Sequence, residues 1–161
     1  MKLLIAGTGN VLRGDDGFGV VAAQRLIEEG VPVDVTVMDV GIGGIHLVQQ
    51  LMEPVDVLIV LDAVDVGREP GAVLVLRPDV LDVSAMPVSE RHDQLADMHY
   101  AVPERALMLA KGLGILPKSV WIVGCQPREA EHYEVGLSEE VMGGVDAALA
   151  EVRKIVSEFV S

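Results

Sequence analysis

The sequence predicts an α/β fold: a three-layer α/β/α sandwich around a mostly parallel twisted sheet of about five strands, one of them antiparallel. Three observations carry that expectation. Short runs that are apolar almost throughout alternate with stretches of helical periodicity, the pattern of a parallel sheet covered on both faces. The first run, Leu3-Leu4-Ile5-Ala6, opens into a glycine-rich turn and then a helical pattern. One run, Ala72 to Leu76, has no helix before it. It therefore pairs antiparallel with a neighbour, since a parallel crossover needs about a dozen residues.

Met1 to Ala6 reads as a buried strand, ended by Gly7. Gly17 to Glu29 reads as a helix stopped by Gly30. Val33 to Met38 alternates apolar with polar and is β-branched, a second strand ending at Asp39. The loop Val40-Gly41-Ile42-Gly43-Gly44 follows, then a short helix, Ile45 to Met52. Val57 to Leu61 is the most apolar run and is expected at the centre of the sheet; it ends at Asp62-Ala63-Val64-Asp65. Val66 to Pro70 is a turn before the Ala72–Leu76 strand. Pro78 to Met98 carries two prolines, many acids and little periodicity, and reads as a long loop. Pro103 to Leu113 is a helix with proline in its first turn. Val120 to Val123 is the last strand. Ser138 opens the last helix, with Glu139 and Glu140 in its first turn, where the dipole favours acids. Its apolar positions, from Val141 through Val145, Leu149 and Val152 to Phe159, keep helical spacing. No repeat, low-complexity tract or second domain interrupts the pattern, so residues 1–161 are read as one domain.

Composition narrows the function. Half of the residues are hydrophobic but only 3% are aromatic, so the core is aliphatic. The formal net charge of -13 argues against nucleic acid, whose phosphates need clustered Lys and Arg. No run approaches the ~18 apolar residues of a membrane span. Cys125 is the single cysteine, which excludes an internal disulfide and fits a reducing compartment. The protein is read as soluble and cytoplasmic, without a membrane or nucleic-acid partner; the sequence does not speak to self-association.

In open α/β sheets ligands bind beyond the carboxyl ends of the strands. At those ends stand Asn10, Asp15 and Asp16 after the first strand, Asp39 after the second, and Asp62 and Asp65 after the third. His92 lies in the long loop and His99 just past it; Cys125 and Gln126 follow the last strand. Each has a plainer reading beside the functional one. Acids after strands serve as turn and cap residues, and one of Asp15 and Asp16 is expected to cap the helix that follows. Loop histidines are commonly solvated, and a cysteine after a buried strand is commonly a small core residue. The combination favours function. Asp62 ends a strongly apolar strand, where a charge is costly without a partner. Carboxylates with a neutral imidazole suit a divalent metal such as nickel or zinc. A dinucleotide site is the rival, since Gly7, Gly9 and Asp39 fit its fingerprint. However, Leu12 replaces the third glycine, and Asp15 and Asp16 put negative charge where pyrophosphate would sit.

Taken in order, the residues resemble the maturation endopeptidases of nickel–iron hydrogenases. The matching pieces are Gly7-Thr8-Gly9-Asn10 with Leu12 and Asp15-Asp16-Gly17-Phe18-Gly19, Asp39 with its glycine loop, and Leu61-Asp62-Ala63. A histidine ahead of the Ala106-Leu107 helix and Val123-Gly124-Cys125-Gln126-Pro127 complete the set. The resemblance implies an endopeptidase that removes a C-terminal extension from a hydrogenase large-subunit precursor after nickel insertion. The nickel, carried by the precursor, is the recognition signal, and other divalent metals can substitute. The residues implied as metal ligands and as the catalytic set are Asp16, Asp62 and His99. The first position varies between Asp and Glu in the family. His99 has the family-like spacing of seven residues before Ala106, and His92 is the alternative. Asp39, Gly41 and Gly43 are expected to contact substrate, and Cys125 is given no role. Metal activation of water and acid–base work by the two aspartates both stay open. A non-catalytic nickel-sensing chaperone module would use the same site.

Overall fold

A computed structural model of the chain describes residues 1–90, 102–128 and 135–161. The elements run β1 (Leu3–Thr8), α1 (Phe18–Glu29), β2 (Val35–Gly41), α2 (Gly44–Gln50), β3 (Val57–Ala63), β4 (Val73–Leu76), α3 (Val102–Gly112), β5 (Ser119–Cys125) and α4 (Glu139–Phe159). Two tight 3-10 turns lie at Gly14–Gly17 and Val83–Ala85. The five strands order as β2-β1-β3-β5-β4. β3, the most apolar run, takes the centre as expected, and β4 pairs antiparallel with β5 while the other pairs are parallel.

Two apolar layers follow from strand alternation. On one face Leu3, Ile5, Ile59 and Leu61 pack with Phe18, Ala22 and Leu26 of α1 and with Val145, Leu149 and Val152 of α4. On the other, Leu4, Ala6, Leu58 and Val60 pack with Leu47 and Val48 of α2 and with Ala106, Leu107 and Ala110 of α3. The first crossover runs outward from β1 to β2, and the next returns across β1 to β3. With right-handed crossovers that reversal puts α1 and α2 on opposite faces. It also makes the carboxyl end of the β1–β3 seam a topological switch point, where a ligand crevice forms.

The strands reach further toward that edge than their apolar runs suggest. β1 extends to Thr8, β2 to Gly41, β3 to Ala63 and β5 to Cys125. Ladder hydrogen bonds use the backbone, so a glycine or an aspartate can continue a strand whose apolar pattern has ended. Gly7 pairs with both Asp39 and Leu61, and Asp62 pairs with Gly124. Asp39 and Asp62 thus lie within strand ends rather than in loops. At the other edge β2 starts two residues later than expected: Val33 is fully exposed, and the Val35 N–H turns back to Pro32 O. The stretch 78–98 is not wholly irregular. Asp82 caps the Val83–Ala85 turn through the Ser84 N–H, and residues 88–90 are helical.

The cap expectation for α1 is corrected. Gly17 is the residue before α1, without a side-chain cap, and neither Asp15 nor Asp16 serves as one. The tight turn at Gly14–Gly17 points both carboxylates elsewhere. Ser138 does cap α4, accepting from the Val141 N–H at 3.4 Å. Among the described residues no helix is long and apolar enough to cross a membrane.

Candidate active site

The site is assembled by the turn between β1 and α1. Gly9 holds a φ of 127°, a region that side chains avoid, and a Cβ there would overlap the Asp16 carbonyl oxygen. The turn folds back so that the Asn10 N–H donates to Asp16 Oδ2 at 2.9 Å. Gly19, one residue into α1, lies against the carbonyl oxygens of Thr8 and Leu61. The start of α1 is therefore seated directly on the β1–β3 seam, and Asp16 is delivered to the end of β3.

Asp62 stands there with 8% of its surface exposed. Burial is the largest influence on its carboxyl, and it pushes the pKa up from 3.8 to about 7. The negative charge of Asp16 raises it further, and Glu104 in the first turn of α3 adds to that; Thr8 and the backbone at Ala63 pull it down. Asp16 and Asp62 are thus close enough for the charge of one to act on the carboxyl of the other. The Thr8 hydroxyl, fully buried, donates to Leu61 O at 3.2 Å and neighbours the Asp62 carboxyl. A hydroxyl has one proton. Donation to the Asp62 carboxylate, which lowers its pKa, therefore competes with donation to Leu61 O.

The other strand-end residues have separate places. Asp39 alternates onto the α1 face of the sheet, opposite to Asp62, and is exposed, accepting from Gln24 Nε2 at 3.3 Å. The glycine loop beside it is tied to the first turn, since the Gly9 N–H donates to Gly41 O at 3.0 Å. Gly41 takes a φ of 59°, and Gly43 precedes α2, with a Cβ there reaching the His46 ring. Asp65 sits at the loop beyond β3 and accepts from Gln126 Nε2 at 2.8 Å. The Gln126 Oε1 takes the N–H groups of Val66 and Arg68 at 2.9 and 3.1 Å. Gln126 therefore braces the loop that follows Asp62. Cys125 is fully buried, and burial with the nearby Asp15 charge pushes its thiol up to about 11, so it is no thiolate nucleophile near neutral pH. His92 and His99 lie outside the described residues. Among the described residues no group of three His, Cys, Asp or Glu side chains could hold a metal ion.

The two acids count against the dinucleotide reading of the turn. The Asn10 N–H, an amide that a phosphate would seek, is already given to Asp16, and the crevice is negative. The family model for hydrogenase maturation protease matches residues 20–155 of the chain. The chain belongs to the hydrogenase maturation protease family. Hydrogenase expression/formation protein HupM of Azotobacter chroococcum is similar, 38% identical over 92% of this chain and 68% of that protein. A hydrogenase maturation protease of Methanocaldococcus jannaschii, so named putatively, is 33% identical over 94% of this chain and 97% of its own length. In structure, the hydrogenase maturating endopeptidase HybD from E. coli matches with a TM-score of 0.76 at 27% identity, covering 98% of this chain and 93% of that one. A hydrogenase 2 maturation peptidase from a Thaumarchaeota archaeon matches with 0.70 at 33% identity, covering 98% and 99%. This hydrogenase maturation protease is accordingly an α/β endopeptidase, a hydrolase of peptide bonds.

Thr8 and Gln126 carry parts of the site to which sequence reasoning attached no role, and Asp15, for which only a cap was considered, bonds Arg128 and Ser138 instead. Thr8 had a signal: it is the polar residue that follows an apolar strand, at the seam where Gly7 pairs with Leu61. Gln126 had its place after the last strand, but its three partners come from a loop about 60 residues earlier. No local pattern announces such a bond.

Proposed function

We propose that this protease removes the C-terminal extension of a nickel–iron hydrogenase large-subunit precursor once nickel has been inserted, and that Asp16, Asp62 and His99 read that nickel. The observation that carries the reading is the buried Asp62 carboxyl set against the Asp16 charge in one crevice. Two acids confined together are unfavourable until a cation arrives between them. Here the cation belongs to the substrate, so the strain is relieved by a nickel-loaded precursor and not by an empty one. Two carboxylates leave coordination for a third ligand from the segment carrying His99 and for the substrate itself. Asp39, Gly41 and Gly43 border the same sheet edge and are proposed to contact the precursor. The processing is proposed to take place in the cytoplasm.

The chain's own groups supply proton chemistry. Before nickel arrives, a carboxyl with a pKa of about 7 exists in both forms at neutral pH, so Asp62 can exchange a proton with water; as a nickel ligand it is held as the carboxylate, and activation of the attacking water then falls to the metal. The Thr8 hydroxyl and the Asn10 N–H hold the two carboxyls in orientation while that happens.

Purified protein mixed with nickel-loaded precursor is expected to shorten the large subunit, as read by mass spectrometry, while nickel-free precursor stays intact. Asp16→Asn and Asp62→Asn are expected to fold and to lose processing by about 10²–10⁴-fold. His99→Ala should fail where His92→Ala succeeds; the opposite pattern would move the third ligand to His92. An unchanged precursor mass with competent nickel-loaded substrate would sink the reading.

A further inference from the structure

We propose that Asp15 is a positioning residue of this protease: its carboxylate latches the turn that carries Asp16 to the start of α4. The proposal rests on the peptidase reading for what Asp16 does, and on geometry alone for how Asp16 is held.

Asp15 is 3% exposed, and both of its oxygens are engaged. Oδ1 accepts the Ser138 N–H at 2.7 Å. Oδ2 accepts the Arg128 N–H and the Ser138 Oγ–H, each at 2.8 Å. Three short bonds converging on one side chain make a strong joint. Their partners lie more than a hundred residues along the chain, on both sides of the loop between β5 and α4. Ser138 passes the restraint on, since its Oγ also accepts the Val141 N–H that opens α4. The latch thus ties the first turn to the frame of the molecule.

Asp16 is the next residue of the same tight turn, and the Asn10 N–H reaches its carboxylate. The other bonds of the turn are local or reach the Gly41 loop, so Asp15 supplies its tie to the start of α4. With Asp15 drawn toward α4, the following side chain points the other way, toward Asp62. Adjacent acids in the turn therefore have different work: one faces the substrate and the other holds its neighbour in register. Asparagine cannot replace Asp15 in this role. One of its two polar atoms is an NH₂, which would meet donors of Arg128 or Ser138.

The test has two independent arms, in Asp15→Asn, Ser138→Ala and Ser138→Thr proteins compared with wild type. In the first, amide hydrogen exchange is followed by NMR. The Asn10 N–H should exchange about tenfold faster in Asp15→Asn, with core amides such as those of Ile5 and Ile59 unchanged, since the opening is local. Ser138→Ala, which keeps both main-chain bonds, should show a smaller change, and Ser138→Thr should restore the wild-type rate. Unchanged Asn10 exchange, or exchange that rises only in step with the core, would overturn the proposal. In the second arm, nickel-loaded precursor is processed well below the melting temperature. Asp15→Asn should lower kcat by about tenfold to 10²-fold, the cost of a misplaced group, with KM within about twofold. Wild-type kcat in folded Asp15→Asn would also overturn it. Should wild type itself leave the precursor intact, the peptidase reading fails, and the exchange arm still decides how the turn is held.

Discussion

At the scale of single residues, Asp62 is the costliest group in the site, and the cost has a definite pH window. Its carboxyl is raised in the folded protein, from 3.8 to about 7. Below pH 4 the group is protonated in both folded and unfolded chains and contributes no difference. Between about 4 and 7 the unfolded chain loses the proton while the folded one keeps it, so stability falls as pH rises. Above 7 the whole cost is present, on the order of 4 kcal/mol at about 1.4 kcal/mol per pKa unit. Asp62→Asn removes the ionisation and fills the same space. It should therefore match wild type near pH 4 and exceed it by a growing margin toward pH 8, measured as urea midpoints across that range. A constant margin would mean that burial does not govern Asp62. That a charge at the end of a strongly apolar strand marks a site was legible from the sequence. That Asp15, the neighbour of Asp16, is a latch was not, because its partners Arg128 and Ser138 become neighbours only when α4 docks.

At the scale of elements, glycine decides how closely α1 approaches the sheet. A Cβ on Gly19 would overlap the carbonyl oxygens of Leu61 and Thr8, which are backbone atoms and cannot swing aside. Helix propensity alone would make Gly19→Ala favourable by about 1 kcal/mol. Overpacking costs roughly 1–3 kcal/mol and here displaces a whole helix, so it outweighs propensity. Gly143, exposed within α4 with open space around its Cα, is the matched control. Gly143→Ala should raise the urea midpoint and Gly19→Ala should lower it; equal gains would show that α1 is not seated on the seam. The elements themselves were largely legible. β-branched runs, glycine stops and the Ser138 cap located five strands and four helices to within a few residues. The errors at the carboxyl ends of the strands share a cause. A strand continues for as long as its backbone ladder does, so β1, β2 and β3 run on through Gly7, Asp39 and Asp62 where apolar patterning stops.

At the scale of the whole molecule, a net charge of -13 on 161 residues loads the folded state with self-repulsion. Surface pairs such as Arg25–Asp146 and Arg153–Glu29 are exposed and offset little of it. Moderate salt, by screening the excess, should raise the melting temperature at pH 7.5 between 20 and 300 mM sodium chloride, where the Debye length shortens from roughly 20 Å to under 10 Å. A melting temperature that falls instead would mean that local ion pairs dominate. One earlier feature reaches beyond stability. Gly7 and Leu61 are partners across the β1–β3 seam, so the strand ends from which the chain departs toward Asp16 and Asp62 are one interstrand spacing of about 4.8 Å apart. The sheet acts as a ruler for those two strand ends. The far end of α1 and the length of α2 can change without altering that graduation, provided that Gly19 keeps the start of α1 on the seam. Such a chain can therefore change in size and surface while the spacing of the two strand ends stays the same.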